Sequence, residues 1–540
     1  MKLKKIHLVL LSVLSAILYS LPLYAFKVGP VLFIALVPLL MVENHFYEKR
    51  SSNKPIQIFY YTLFSFLLVN IISIWGVVYT SITGFIILTV ASAFFMALTF
   101  YIFHRVKRRL GPKIGGFAFI IFWLSFEYIY TVGEISFPLY TLGNGFAFNE
   151  QLVQWYEYTG VFGGSFWVLI SNLLLFIILQ RITNKKNKTQ TIKEISIWAF
   201  VILAPMITSL IMYYTYEEKK APVEIILVQP NINPYTEKFD PMSLSSQMEK
   251  IIMYSTRGLD EKTDFIVAPE TAIPVGLWID SLEQTSYISQ LREAISDYPN
   301  VNLIIGVNTM KMYSNAESAS ATAHKFGETG KYYDYYNSAI MLNDVDSIPI
   351  YHKSKLVIGP EKMPYNQVFK FLEDLMMDNG GFVGSNGLQE EREVFFSNNG
   401  KAIAAPIICY EAVFGEYIGD YIKKGANFFA VITNDGWWFN APIYLQSLGF
   451  GKLRAIEHRR SIARSANTGI SCFIDQRGSM YKEAKYSTAA SIKGTLNLNN
   501  ELTFYTKTGD YIPKIAIFFS ILILLQALVS KLKQKSLKEQ

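Results

Sequence analysis

Cys409 closes the apolar run Ala402-Ile403-Ala404-Ala405-Pro406-Ile407-Ile408 and is followed at once by Tyr410 and Glu411. A strand that delivers a cysteine to the start of a helix lowers the thiol pKa and holds the sulfur exposed and nucleophilic. Upstream lie the carboxylate of Glu270, in Val267-Ala268-Pro269-Glu270-Thr271, and the amine of Lys353, in Tyr351-His352-Lys353-Ser354-Lys355-Leu356-Val357. A thiol attacking a carbonyl needs a base for its proton and donors for the developing oxyanion. Glu270 suits the first task if burial raises its pKa; Lys353 suits the second as a fixed ammonium, joined by the backbone amide of Tyr410. Taken singly, each residue also fits a plainer role: a surface carboxylate after a strand, one half of a solvated lysine pair with Lys355, a buried strand cysteine. Their order, and the strand end that each occupies, unite them.

That order, Pro-Glu-Thr, then Tyr-x-Lys-x-x-Leu-Val, then Ile-Cys-Tyr-Glu, then Thr433-Asn434-Asp435-Gly436-Trp437-Trp438, resembles the nitrilase (carbon–nitrogen hydrolase) superfamily. It resembles above all the membrane branch, the apolipoprotein N-acyltransferases, because the likeness runs from the apolar N-terminal segments to Thr506-Lys507-Thr508-Gly509-Asp510. The resemblance implies a Glu270, Lys353, Cys409 triad on a four-layer αββα sandwich. It also implies Glu361, eight residues past Lys353, and Glu411 as supporting carboxylates, although each also fits a plain salt-bridge partner. Leu356-Val357-Ile358-Gly359-Pro360 departs from the family's commoner Val-Pro-Phe-Gly-Glu, and Lys238-Phe239 stands where the family often carries Lys-Trp, one residue displaced. Phe239 then keeps an aromatic face without the indole donor.

The elements that must position these residues fall into two kinds. The chain has 540 residues, 51% hydrophobic and 15% aromatic, too long for one ordinary domain and too apolar for a wholly soluble one. The net charge of +7 comes from short Lys/Arg clusters beside apolar segments rather than from a basic stripe on a binding module, so nucleic acid is not an expected partner. Eight stretches approach the roughly 20 residues that a bilayer demands, near 6–26, 29–43, 57–80, 83–103, 115–133, 161–180, 195–215 and 512–530. The expected organisation is a seven-helix membrane domain over 1–216, an α/β domain over 217–511, and a final helix with a basic tail over 512–540. Alternate connections carry Lys49, Arg50 and Lys54, then Arg105 to Lys113, then Arg181 to Lys193, and the tail carries Lys531 to Lys538. The positive-inside rule therefore puts both termini in the cytoplasm and the α/β domain outside; the resemblance implies that the membrane is a bacterial inner membrane.

Within 217–511, apolar runs such as Val223–Val228, Phe265–Ala268, Leu303–Val307 and Phe428–Thr433 alternate with amphipathic stretches near 243–258, 281–296, 411–424 and 442–464. This is the pattern of a layered α/β domain. Two cysteines exclude a disulfide framework, and Cys472, in Ile470-Ser471-Cys472-Phe473-Ile474, reads as a small core hydrophobe. No metal cluster or Gly-rich phosphate loop is evident, so no cofactor is expected. Apolar residues flank the triad in sequence: Phe369, Phe371, Leu372, Leu375, Met376 and Met377 after Glu361, and Trp437, Trp438 and Phe439 after the nucleophile. Phe239, Phe371, Leu375, Trp437 and Trp438 are the candidates for acyl-chain contact.

The triad fixes thioester chemistry, and the membrane helices select lipid substrates. The resemblance implies that Cys409 takes an acyl chain from a phospholipid and passes it to the α-amine of a diacylglyceryl-cysteine on an apolipoprotein. The alternative is a membrane-anchored amidase or nitrilase with water as acceptor, and a monomer is the expected state. The topology is testable with single cysteines placed in a cysteine-free background. A reporter at Lys186 should react with an impermeant reagent only from the cytoplasmic side and one at Ser318 only from outside; outside labelling at Lys186 would overturn the charge-bias argument.

Overall fold

The computed structural model describes residues 4–539 apart from 25–26, 184–187, 346 and 363–384. The chain divides into two compact units: Met1–Thr215 with Ala441–Gly449 and Thr508–Gln540, and Tyr216–Asn440 with Phe450–Lys507.

The first unit is helical. Among the described residues, eight helical spans are long and apolar enough to cross a membrane: Lys5–Tyr24, Gly29–Glu48, Ile56–Tyr79, Ile82–Leu110, Pro112–Val132, Tyr156–Thr183, Lys188–Thr215 and Tyr511–Lys533. The second span breaks at Leu36, and the buried Asn172 side chain repairs the break. Its Oδ1 accepts from the amides of Leu36 and Val37, and its Nδ2 donates to the carbonyl of Leu32. Such repair is needed because backbone groups freed within an apolar bundle have no water to turn to. The last span packs beside Pro112–Val132, with the Ser125 and Ser520 hydroxyls 2.9 Å apart. Residues just past the Trp437-Trp438 motif also belong to this unit, where Gln446 Nε2 donates to the carbonyl of Ser73 at 3.0 Å.

The second unit is the expected α/β sandwich. In chain order its strands are β1 (Pro222–Gln229), β2 (Phe265–Val267), β3 (Ile273–Trp278), β4 (Asn302–Tyr313), β5 (His324–Lys325), β6 (Tyr332–Leu342), β7 (Ile350–His352), β8 (Phe395–Phe396), β9 (Ile403–Ile408), β10 (Phe428–Thr433), β11 (Ile462–Ala466), β12 (Cys472–Ile474), β13 (Met480–Tyr481) and β14 (Ala490–Asn497). One sheet runs β14-β1-β2-β4-β6-β5, with β3 on β4 and β7 on β6, and the other runs β13-β12-β11-β10-β9-β8. Parallel pairs occupy both sheet centres, β1 with β2 and β2 with β4 in one, β9 with β10 and β10 with β11 in the other. Strands buried on both faces read as unbroken apolar runs, which is why these were visible in the sequence.

Side-chain parity sets the layers. Ile226, Val228, Ile266, Leu303 and Ile305 share a core with Met248 and Ile251 of the helix Leu244–Thr256 and Leu291 and Ile295 of the helix Ser286–Ile295. The opposite parity faces the other sheet, where the Phe265 and Phe428 rings meet edge-on at 5.1 Å. Two helical expectations are trimmed. The α-helix after Cys409 begins only at Gly415, and the expected helix over 442–464 ends at His458, where the chain turns into β11. The second sheet thus delivers Cys409 and Thr433 to one end of the sandwich, and the first delivers Glu270, Asn337 and Lys353.

Candidate active site

Glu270 lies just past β2, where the chain bends sharply and Thr271 adopts φ +45°. Gly306 of β4 permits that bend, since a Cβ there would stand 2.6 Å from both Glu270 Cα and Thr271 N. The carboxylate is buried at 6% exposure and fully engaged. Oε1 accepts from Lys353 Nζ at 3.1 Å and Asn337 Nδ2 at 2.8 Å, and Oε2 accepts from the Asn434 amide at 3.1 Å. Lys353 follows β7 and is pinned by its own amide donating to the carbonyl of Asn337 at 2.8 Å. Its ammonium, 1% exposed, bridges Glu270 and Glu361, the latter at 2.9 Å. Glu361 is thereby the ion-pair partner of Lys353; its Oε1 also accepts from Asn337 Nδ2 at 3.0 Å and its Oε2 from the Val357 amide at 2.8 Å. Gly359, at φ +96°, makes the turn before it.

Cys409 is half-buried, adopts φ +50° and opens a five-residue 3₁₀ turn, Cys409–Val413. Thr433 Oγ1 lies 3.3 Å from its sulfur. The thiol expected to be acidified by a helix N-terminus is instead pushed up to about 12, mainly by burial and then by the Glu270 charge, against the opposing pull of Lys353 and the Thr433 hydroxyl. A short 3₁₀ turn lacks the aligned dipoles of an α-helix, and burial penalises the thiolate. The expectation for Glu270 is corrected too. Burial pushes its carboxyl up, but Lys353, Asn337 and Lys238 together outweigh burial and hold it below its ordinary value. Lys353 goes the other way: burial would lower it, and the two carboxylates with Cys409 raise it well above its ordinary value. The resting site is a neutral thiol beside an ionised carboxylate and a fixed ammonium.

Glu411 is buried, and its partners among the described residues are neutral donors, not a cation. Tyr351 and Tyr417 hydroxyls donate to it at 2.6 and 2.5 Å, and the amides of Ser354 and Ile408 at 2.8 and 2.9 Å. One carboxylate thus ties the segment after Lys353 to the strand that carries Cys409. The Tyr410 ring packs edge-on against Phe414 at 5.3 Å. Phe239 is 59% exposed and stacks on Trp437 at 6.1 Å, while Tyr235 stacks on Phe439 at 4.8 Å. Trp438 is half-buried. Phe371 and Leu375 lie outside the described residues.

Sequence reasoning gave no role to Asn337, Asn434, Thr433 or Lys238, although Thr433 and Asn434 open the Thr-Asn-Asp-Gly-Trp-Trp motif. Asn337 joins both carboxylates yet sits in a tyrosine-rich strand with no motif around it. Lys238 drew notice only as the neighbour of Phe239. It is buried, its Nζ 3.3 Å from the Glu270 carbonyl, and burial pushes it down to about 8 against the attraction of Glu270 and Cys409.

Two family descriptions match: "Apolipoprotein N-acyltransferase N-terminal domain" over residues 15–174 and "Carbon-nitrogen hydrolase" over 226–500. The second covers the two-sheet sandwich except for the first four residues of β1, so the fold and site define a carbon–nitrogen hydrolase domain joined to membrane-length helices. Proteins named apolipoprotein N-acyltransferase match along nearly the full chain. That of Chlorobaculum tepidum is 30% identical over 94% of this chain and 93% of its own, and that of Geobacter metallireducens 24% over 93% and 91%. An amidase structure from Nesterenkonia sp. overlays at 14% identity and TM-score 0.35, covering 54% of this chain and 96% of that one. The chain belongs to the apolipoprotein N-acyltransferase family.

The Lys238 geometry predicts a pH signature in the alkylation of Cys409 by iodoacetamide. For a thiol that is largely protonated throughout, log rate rises with pH. Lys238 is cationic below about 8 and loses its charge as pH rises past that point, removing a thiolate-stabilising charge. The slope should therefore flatten near pH 8. Lys238→Met should react more slowly below that pH and show a straight profile; a bend that survives the substitution would exclude Lys238 as its source.

Proposed function

We infer that this protein is an acyltransferase that forms a thioester at Cys409 from a membrane phospholipid and transfers the acyl chain to the α-amine of a diacylglyceryl-cysteine on an apolipoprotein. The observation that carries the reading is Lys353, an ammonium buried between Glu270 and Glu361 at 3.1 and 2.9 Å, in a chain whose relatives bear that enzyme's name.

In the first half-reaction Glu270, held ionised by Lys353, Asn337 and Lys238, takes the thiol proton as the sulfur attacks the ester carbonyl. The Lys353 ammonium and the Tyr410 amide receive the charge that develops on the carbonyl oxygen. The ester C–O bond breaks, the glycerol oxygen takes the proton from Glu270, and lysophospholipid leaves. In the second, the neutral α-amine attacks the thioester and gives a proton to Glu270. The C–S bond breaks, the amide forms, and Glu270 returns that proton to the sulfur. Glu361 keeps Lys353 in place while Glu270 changes charge, and Glu411 braces the strand end that carries the nucleophile.

The exposed rings of Tyr235, Phe239 and Phe439, packed around the half-buried Trp437, support a lipid donor, since each methylene of an acyl chain sheltered there contributes roughly 0.8 kcal/mol. The membrane-length helices and the charge pattern of their connections support a place in the bacterial inner membrane, with the sandwich outside and both termini in the cytoplasm.

The acceptor is tested with purified protein in vesicles of acyl-labelled phospholipid. A diacylglyceryl-cysteine peptide with a free α-amine should gain one labelled chain in amide linkage, and the same peptide acetylated on that amine should gain none. Release of labelled free fatty acid at an equal rate with either peptide would instead identify a membrane-anchored hydrolase.

A further inference from the structure

The Thr433 hydroxyl has one hydrogen and two acceptors. Its Oγ1 lies 3.3 Å from Cys409 Sγ and 3.1 Å from Asp435 Oδ1. The threonine itself and the Asp435 carboxylate are both fixed. Thr433 ends β10, where it pairs with Ala466 of β11, and its carbonyl accepts from the Asn467 amide at 3.1 Å. Asp435 is 1% exposed, and its Oδ2 accepts from Arg464 Nη2 at 2.7 Å. Gly469 leaves room for that carboxylate, since a Cβ there would stand 2.2 Å from Asp435 Oδ2. A single hydroxyl hydrogen cannot serve both acceptors at once. Beside a neutral thiol, a weak acceptor, the carboxylate wins; beside a thiolate, the balance moves to sulfur, because hydrogen bonds to charged acceptors are the stronger ones.

We propose that Thr433 is a further catalytic residue, a hydroxyl rotor that donates to Asp435 while the Cys409 sulfur is neutral and turns to donate to the sulfur whenever it carries charge. The inference rests on the reading of Cys409 as the nucleophile and deepens it. The sulfur becomes anionic twice in the cycle, when Glu270 removes its proton and when it departs from the acceptor's tetrahedral intermediate. At both moments the rotor adds a hydrogen bond that the neutral thiol and the thioester do not receive, which is the condition for lowering a barrier rather than deepening a ground state. Asp435 is a positioning residue: it parks the hydroxyl, and the Arg464 ion pair keeps it satisfied when the hydroxyl turns away. The charged groups around the sulfur are Glu270 and Asp435, which disfavour the thiolate, and Lys353 and Lys238, which favour it.

The test is the rate of Cys409 alkylation by iodoacetamide at neutral pH in the full-length protein in detergent, with peptide mapping to separate Cys409 from Cys472. The S–H proton leaves by way of Glu270 to solvent, the S–C bond forms and iodide departs, so no lipid or acceptor is needed. Thr433→Val, isosteric but unable to donate, should react roughly ten- to a hundred-fold more slowly, the span expected for a lost hydrogen bond to a charged group. Thr433→Ser should recover most of that rate. Asp435→Asn weakens the competing acceptor and removes a charge that opposes the thiolate, so it should react faster than the parent. Opposite signs at two adjacent side chains are not what a shared packing defect gives. A parental rate in Thr433→Val, a Thr433→Ser variant as slow as Thr433→Val, or a slowed Asp435→Asn would each overturn the rotor. If Cys409 in the parent protein were no more reactive than Cys472, it is the assignment of the nucleophile that would fall.

Discussion

A lysine ammonium without water is the constraint from which the rest of the site follows. Taking one charge out of water costs several kcal/mol even after relaxation, and the cost is met only when opposite charge and hydrogen bonds surround it. Lys353 is 1% exposed, so two carboxylates must reach it, and each of those carboxylates must in turn be satisfied. Asn337 serves both through one amide group, the Asn434 amide takes the free oxygen of Glu270, and the Val357 amide takes that of Glu361. Each donor comes from a different segment, so the ends of β2, β7 and β10 and the middle of β6 are all tied to one buried cation. The same charge keeps Glu270 ionised, the state that its proposed role as base requires.

Local backbone geometry carries a second share. Thr271, immediately after Glu270, and Cys409, neither of them glycine, lie at φ +45° and +50°. Residues with a Cβ adopt this region at a cost of about 1–3 kcal/mol and persist there only when their surroundings over-determine them. At Thr271 the surroundings are the absent side chain of Gly306; at Cys409 they are Glu411, whose carboxylate accepts from Ile408, Ser354 and two tyrosines. The buried carboxylate next to the nucleophile therefore acts through shape rather than charge neutralisation.

Most of the architecture was legible in the chain. Hydropathy marked eight membrane-length helices because such a helix must be apolar over its whole length, and fully buried parallel strands are equally conspicuous. Glu270, Lys353, Cys409 and Glu361 were legible because motif spacing survives folding. Asn337, Lys238 and Thr433 were not, since their side chains acquire meaning only where strands distant in sequence converge. The proton affinities of Glu270 and Cys409 were read with the wrong sign for a related reason. Burial and neighbouring charge decide them, and neither is local. A buried cluster in the helical unit, where Glu43 contacts His104 Nδ1 at 2.7 Å and also pairs with Lys107, escaped notice likewise, its members lying about 60 positions apart.

The central claim is that the buried Lys353 and ionised Glu270 exist to make Cys409 a carrier of an acyl chain. Incubating the protein with phospholipid vesicles and no acceptor, then digesting it and weighing the peptides, tests this most directly. The account predicts one acyl chain on the peptide containing Cys409, removable by neutral hydroxylamine as a thioester is, and absent from Glu270→Gln. An unmodified Cys409 peptide, or an acyl chain found on Cys472 or on a hydroxyl side chain instead, would contradict it.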